Sequence, residues 1–211
     1  MKRTLSAVAM ALLCATSAHA LPTSYSADGL TFSDITCTSG SSGTATGGCD
    51  GLTIAAAPGG DGIRFQGLLA SASGPASSLD VIIGYRLTLT APISSVRLDF
   101  NGSAFGSGIA RAGVVETAYT EPGGTLLGQT SVGTPSPLSS TLGLGTSLTS
   151  LYLVKDIELF SFPGADLTGA TITFIDQIFP PGGVTPVPEP ASLASLGAGL
   201  LGLAVVRRRA A

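Results

Sequence analysis

Leu79-Asp80-Val81-Ile82-Ile83-Gly84-Tyr85-Arg86-Leu87-Thr88-Leu89-Thr90 decides the fold. Leu79, Val81, Ile83, Tyr85, Leu87 and Leu89 alternate with Asp80, Ile82, Gly84, Arg86, Thr88 and Thr90. A period of two predicts a long strand with one buried face. Tyr85 falls on that face and is expected in the core.

The same alternation recurs downstream. Val96, Leu98 and Phe100 alternate with Arg97 and Asp99, and Ala91-Pro92 with Ser94-Ser95 predicts a break between the two runs. Asp61-Gly62 leads into Ile63-Arg64-Phe65, and residues 109–119 form another strand. Glu121-Pro122-Gly123-Gly124 is a turn leading into residues 125–129, whereas 131–145, rich in Pro, Gly, Ser and Thr, reads as a long loop. In 151–162, Leu151, Leu153, Ile157 and Leu159 oppose Asp156 and Glu158. Lys155 falls on their apolar side, which predicts a sheet edge or a neighbouring acid. In 171–179, Ile172, Phe174 and Ile178 alternate with threonines and Gln177. Between the chain ends no segment of useful length has a helical period. The expectation is an all-β, antiparallel, jelly-roll-like β-sandwich of eight to ten short strands. Its core should include Leu87, Leu98, Leu153, Ile172 and Phe174.

The two ends differ from this pattern. Lys2 and Arg3, the apolar run 5–15 and Ala18-His19-Ala20 read as a signal peptide cleaved after Ala20. At the other end, Pro188-Glu189-Pro190 precedes an apolar run at 191–206 and then Arg207-Arg208-Arg209. As a helix that run covers roughly 24 Å, which spans a thinned bilayer with the arginines snorkelling to the cytoplasmic side. The two prolines hold the motif extended. The predicted organisation is a signal peptide at 1–20, a sandwich ectodomain at 21–182, a linker at 183–187 and a sorting signal at 188–211.

This tail resembles the PEP-CTERM sorting signal of exopolysaccharide-producing Gram-negative bacteria. The resemblance implies recognition by exosortase, a membrane-embedded cysteine transpeptidase. It also implies passage through the inner membrane, transient anchoring by the C-terminal helix, and a final place at the cell surface or outside it. Exopolysaccharide is a candidate partner. The β-sandwich ectodomain also resembles those found behind such tails.

Composition narrows the chemistry. Without the two signals, five bases face twelve acids, a net charge of −7. Such a domain repels nucleic acid and anionic lipid. The single histidine, His19, lies in the signal peptide. Histidine-based nucleophilic and metal sites are therefore excluded from the mature part. Cys14 leaves with the signal, and Cys37 and Cys49 read as a disulfide in an exported chain.

Histidine-free chemistry leaves paired carboxylates, Glu116 with Glu121 or Asp156 with Glu158, of the kind used in glycoside hydrolysis. Glu116 interrupts a strand of Val114, Val115, Thr117 and Ala118. Its alternatives are a cleft position or a solvated place on the polar face or at a turn. Asp50, Asp61, Asp80 and Asp99 are candidate oxygen ligands for calcium, although no calcium-loop spacing is present and no cofactor is otherwise implied. Tyr119 is the tyrosine best placed as an exposed sugar platform. The expected function is a non-enzymatic structural or adhesive module of the surface or extracellular matrix. The alternatives are a calcium-dependent glycan-binding module and a secreted carboxylate-based carbohydrate-active enzyme.

Overall fold

The computed structural model describes residues 22–27, 29–71, 76–162, 164 and 168–180. The signal peptide, the linker and the whole sorting tail lie outside them.

Among the described residues ten strands follow one another: β1 (Tyr25–Ala27), β2 (Leu30–Ser42), β3 (Ala45–Gly47), β4 (Thr53–Ala56), β5 (Gly62–Ser71), β6 (Ser77–Phe105), β7 (Ile109–Tyr119), β8 (Leu126–Gly133), β9 (Ser139–Phe162) and β10 (Gly169–Ile178). A 3-10 turn, Cys49–Gly51, precedes β4. Every pairing is antiparallel.

Two strands are far longer than expected. β6 runs through the predicted break without ending, and its ladder with β9 shifts register on either side of Ile93. Pro92 and the serines thus mark a corner in a strand, where a bulge lets the chain change sheets. β9 likewise takes up the second half of the predicted loop, because Ser139 to Gly143 find partners in Ser95 to Asp99, and β8 takes its first three residues. Only residues 134–138 link β8 to β9.

The two bent strands give the sandwich its layers. The first layer has the order β1-β2-β6-β9-β7-β8, using the N-terminal half of β6 and the C-terminal half of β9. The second joins β3 and β4 to β5, then β10, then the remaining halves of β6 and β9. Aromatic rings fill the space between them. Phe32 of β2 lies 5.8 Å from Phe179, and Tyr85 of β6 lies 5.6 Å from Phe65 of β5. Leu87, Leu98, Leu153 and Ile172 are buried as expected. The Cys37–Cys49 disulfide is formed, with Cα atoms 5.8 Å apart, and ties β2 to the turn that enters the second layer.

Phe174 is not in the core. A bulge between Ile172 and Phe174 reverses the parity of β10. Ile175, Gln177 and Phe179 therefore point inward, while Phe174 lies half-buried with the Arg64 guanidinium 3.8 Å above its ring.

Leu87→Ala should cost about 2–5 kcal/mol in urea unfolding, whereas Phe174→Ala should cost about 1 kcal/mol, the scale of a lost cation–π contact. A Phe174→Ala cost as large as that of Leu87→Ala would place the bulge elsewhere. Replacing Cys37 and Cys49 together by serine should cost about 2–4 kcal/mol, measured in the same way.

Candidate functional site

The outward face of the first layer carries residues in rows, because strand period and register fix which side chains line up. One row reads Arg86, Tyr152, Tyr119, Leu126 across β6, β9, β7 and β8. Leu126 is 58% exposed, and both tyrosines are half-buried. Arg86 reaches Asp34 at 3.4 Å, and Asp34 takes a left-handed φ of 54° where β2 bulges. Tyr152 lies over Gly84, where any Cβ would collide with its hydroxyl. That glycine lets the ring lie close over the sheet. Thr117 accepts a hydrogen bond from Gln129 Nε2 at 3.1 Å on the same face. Tyr119, the tyrosine expected to be exposed, is thus one half of a tyrosine pair.

Further along the face stand three acids. Asp80 is directly opposite Glu158, and Asp156 occupies the adjoining row. Partial burial and the neighbouring Asp80 raise the pKa of Asp156 above the ordinary aspartate value. Beyond them a groove of about 260 Å³ is lined by Arg111, Ser131, Thr134, Glu158 and Phe160, among others. Arg111 makes no ion pair among the described residues, unlike Arg64, Arg86, Arg97 and Lys155.

A second polar cluster sits inside the sandwich. Lys155 and Glu116 face each other across the β9–β7 ladder, and both side chains are fully buried. Lys155 Nζ donates to Glu116 Oε2 and to Gln177 Oε1 of the opposite layer. Gln177 Nε2 in turn donates to the Arg97 carbonyl at 3.0 Å. The Phe65 and Tyr85 rings lie 5.9 and 6.0 Å from Nζ. Burial lowers the Lys155 pKa, although the Glu116 charge and hydrogen bond act the other way. Burial, with Glu116 adding to it, pushes the Tyr85 hydroxyl well up. Among the described residues, Glu116 Oε1 and Tyr85 Oη have no hydrogen-bond partner.

The sequence-derived candidates distribute themselves accordingly. Lys155 is beside an acid, as its parity requires, but on an interior strand. Glu116 is neither in a cleft nor solvated, because Ala112, Val114, Glu116 and Ala118 form the inward face of β7. Glu121 is exposed at the β7–β8 turn, so Glu116 and Glu121 do not meet. Asp156 and Glu158 share a face with Asp80. Asp50 lies in the 3-10 turn, Asp61 before β5, and Asp80 and Asp99 on opposite arms of the bent β6, with Asp99 at Arg97 and Ser139, so the four calcium candidates are spread apart. Among the described residues no three His, Cys, Asp or Glu side chains are grouped to hold a metal ion. Pro188, Glu189, Pro190, Arg207, Arg208 and Arg209, with Ala18 and Ala20, lie outside the described residues.

The tail is nevertheless recognisable by comparison. Residues 186–209 are a PEP-CTERM protein-sorting motif. The PEP-CTERM motif marks an exosortase substrate, exported and transiently anchored through its C-terminal region before it reaches a surface or extracellular location. No curated protein matches the chain. Solved structures similar to it include TmCBM61 in complex with β-1,4-galactotriose, at 12% identity and a TM-score of 0.30, covering 64% of this chain and 86% of that one. The family 11 carbohydrate-binding module of Clostridium thermocellum, in complex with a mixed-linked tetrasaccharide, shares 10% identity at a TM-score of 0.27, covering 70% and 91%. The enzymatically active domain of bacteriophage CBA120 tailspike protein 4 shares 10% at 0.31, covering 69% of this chain and 19% of that one. At such scores the likenesses carry no argument about the site.

The acids on the outer face yield a signed pH dependence. A carboxyl whose folded pKa is raised favours folding below its ordinary pKa, and that contribution is lost as pH rises through the raised value. Asp156→Asn should therefore stabilise the domain at neutral pH by roughly half a kcal/mol, the scale of like charges on paired strands. The gain should vanish below the ordinary aspartate pKa of 3.8. Thermal melts of both proteins at the two pH values check the sign.

Proposed function

We propose that the mature chain works outside the cell as a non-enzymatic structural or adhesive module, released or transferred to the surface after exosortase acts near Pro190. The observation that carries this reading is the sorting motif at 186–209 behind a disulfide-bonded β-sandwich. The non-enzymatic part draws support from the placement of the carboxylates. Glu116 is engaged by Lys155 in the core, and Asp156 and Glu158 stand on an open sheet face.

Adhesion needs a surface that favours a partner. The outward row of Arg86, Tyr152 and Tyr119 offers stacking area with hydrogen-bonding groups beside it. That combination suits a neutral or weakly anionic glycan such as an exopolysaccharide strand, because aromatic faces stack against sugar C–H surfaces while polar neighbours take the hydroxyls. Calcium is not needed for such contact.

Changing Pro188, Glu189 and Pro190 to alanine should leave export and membrane insertion intact and block maturation in a host with an active exosortase. Trimming and release at the normal rate would remove the sorting assignment. Tyr119→Ala with Tyr152→Ala should weaken retention on the host's own exopolysaccharide about tenfold or more, the scale of losing one or two stacked aromatic contacts. Unchanged retention would leave the module structural and move adhesion off this face.

A further inference from the structure

The Glu116, Lys155 and Gln177 side chains are fully buried with no function yet assigned. An amine is held against both a carboxyl and a carboxamide between two sheets, under the Phe65 and Tyr85 rings. As a mere ion pair this arrangement is poor. Glu116 Oε1 is left without a partner among the described residues, and a buried pair of this kind is often no better than apolar side chains of the same volume.

The three groups have complementary reactivity. An amine adds to a carbonyl carbon, a carboxamide is an acyl group with ammonia as its leaving group, and a carboxyl in contact with the amine moves protons. We propose that Lys155 and Gln177 become joined by an intramolecular amide bond, with Glu116 as the catalytic acid–base, stapling the two layers of the sandwich together.

The step balances without any other reactant. The Lys155 ammonium passes a proton to Glu116 Oε2, leaving a neutral amine and a carboxylic acid. Burial already lowers the lysine's hold on that proton. The Nζ lone pair forms a bond to Gln177 Cδ, and the carbonyl π pair moves onto Oε1, which the Glu116 acid stabilises. Glu116 then takes a proton from Nζ and delivers one to Nε2. Collapse restores the carbonyl and breaks the Cδ–Nε2 bond, releasing ammonia. The products are a secondary amide and ammonia, which leaves as ammonium with the proton first taken from Lys155, so that Glu116 ends as the carboxylate it began as.

Two features favour the step here and oppose it in water. The partners are held in contact by packed strands, so an otherwise very slow exchange runs at the high effective concentration of an oriented pair. Gln177 is fixed at both ends of its amide, by Lys155 at Oε1 and by the Arg97 carbonyl at Nε2. Water, which would compete for the acyl carbon, is excluded from a site where all three side chains are buried.

Mass spectrometry of the purified full chain after reduction tests this directly. The expected result is a deficit of about 17 Da, one ammonia, relative to the Lys155→Arg variant after correcting for that substitution. Trypsin should fail to cut after Lys155, because an acylated lysine is not a substrate, and fragmentation should link Lys155 to Gln177. Glu116→Gln should restore the full mass while circular dichroism still reports a β-sheet protein. An unshifted wild-type mass with cleavage after Lys155 would overturn the proposal whatever the variants do. A deficit of about 18 Da, one water, mapped between Lys155 and Glu116 would overturn it too, since the acyl donor would then be the glutamate. None of these outcomes depends on how the tail is sorted.

Discussion

The ladder between β6 and β9 makes two sheets out of one. It runs from Ser77 opposite Ser161 to Asp99 opposite Ser139, with a corner near Ile93. β2, β7 and β10 attach to one arm or the other of this bent ribbon, and the remaining strands attach through them. A bent two-stranded ribbon cannot bury its own inner face, so β2 with β7 and β10 with β5 must close on either side. Once they do, Phe32, Phe65, Tyr85 and Phe179 meet in the middle. The disulfide and the buried lysine cluster act on a geometry that this ladder has already set.

Much of that geometry was legible in the sequence, for reasons that can be located. Residues 79–89 alternate without interruption, so their faces could be assigned from composition alone. The same holds for 151–159, where the unbroken series of leucines and isoleucines forced Lys155 inward. Corners and bulges hide from such reading. Pro92 looks like an end because proline usually ends pairing, yet at a bend its missing N–H falls where the ladder is already irregular. One extra residue in β10 exchanged Phe174 with Gln177, and no composition rule marks where a strand takes on an unpaired residue. The serine- and threonine-rich start of β9 read as loop because its strand state comes from a distant partner, Ser95 to Asp99, not from local preference.

The buried cluster shows how partial information could have been combined. In β7, Val114 and Val115 are both apolar, so the strand's parity is ambiguous and Glu116 could face either way. Lys155 on its strand is not ambiguous. A buried ammonium requires a counter-charge within reach, and an acid on a strand of undecided parity is the natural donor of it. Resolving β7 through β9 would have placed Ala112, Val114, Glu116 and Ala118 inside. The outer face was less accessible to such logic. That Tyr119 pairs with Tyr152 depends on the register between two strands separated by the whole of β8.

The position of β10 bears on how the domain carries load. Its C-terminal end leads into residues 181–211, the part that meets the membrane machinery. β10 is not an edge strand. It is hydrogen-bonded to β5 on one side and β6 on the other, and Phe179 beyond it is held by Asp61 and by the Phe32 ring. Tension applied from the tail therefore enters between two ladders and must shear both at once, instead of peeling one strand from an edge. While the chain is tethered, drag on the domain is spread through the centre of the second sheet, and the fold is attached by one of its mechanically firmest strands.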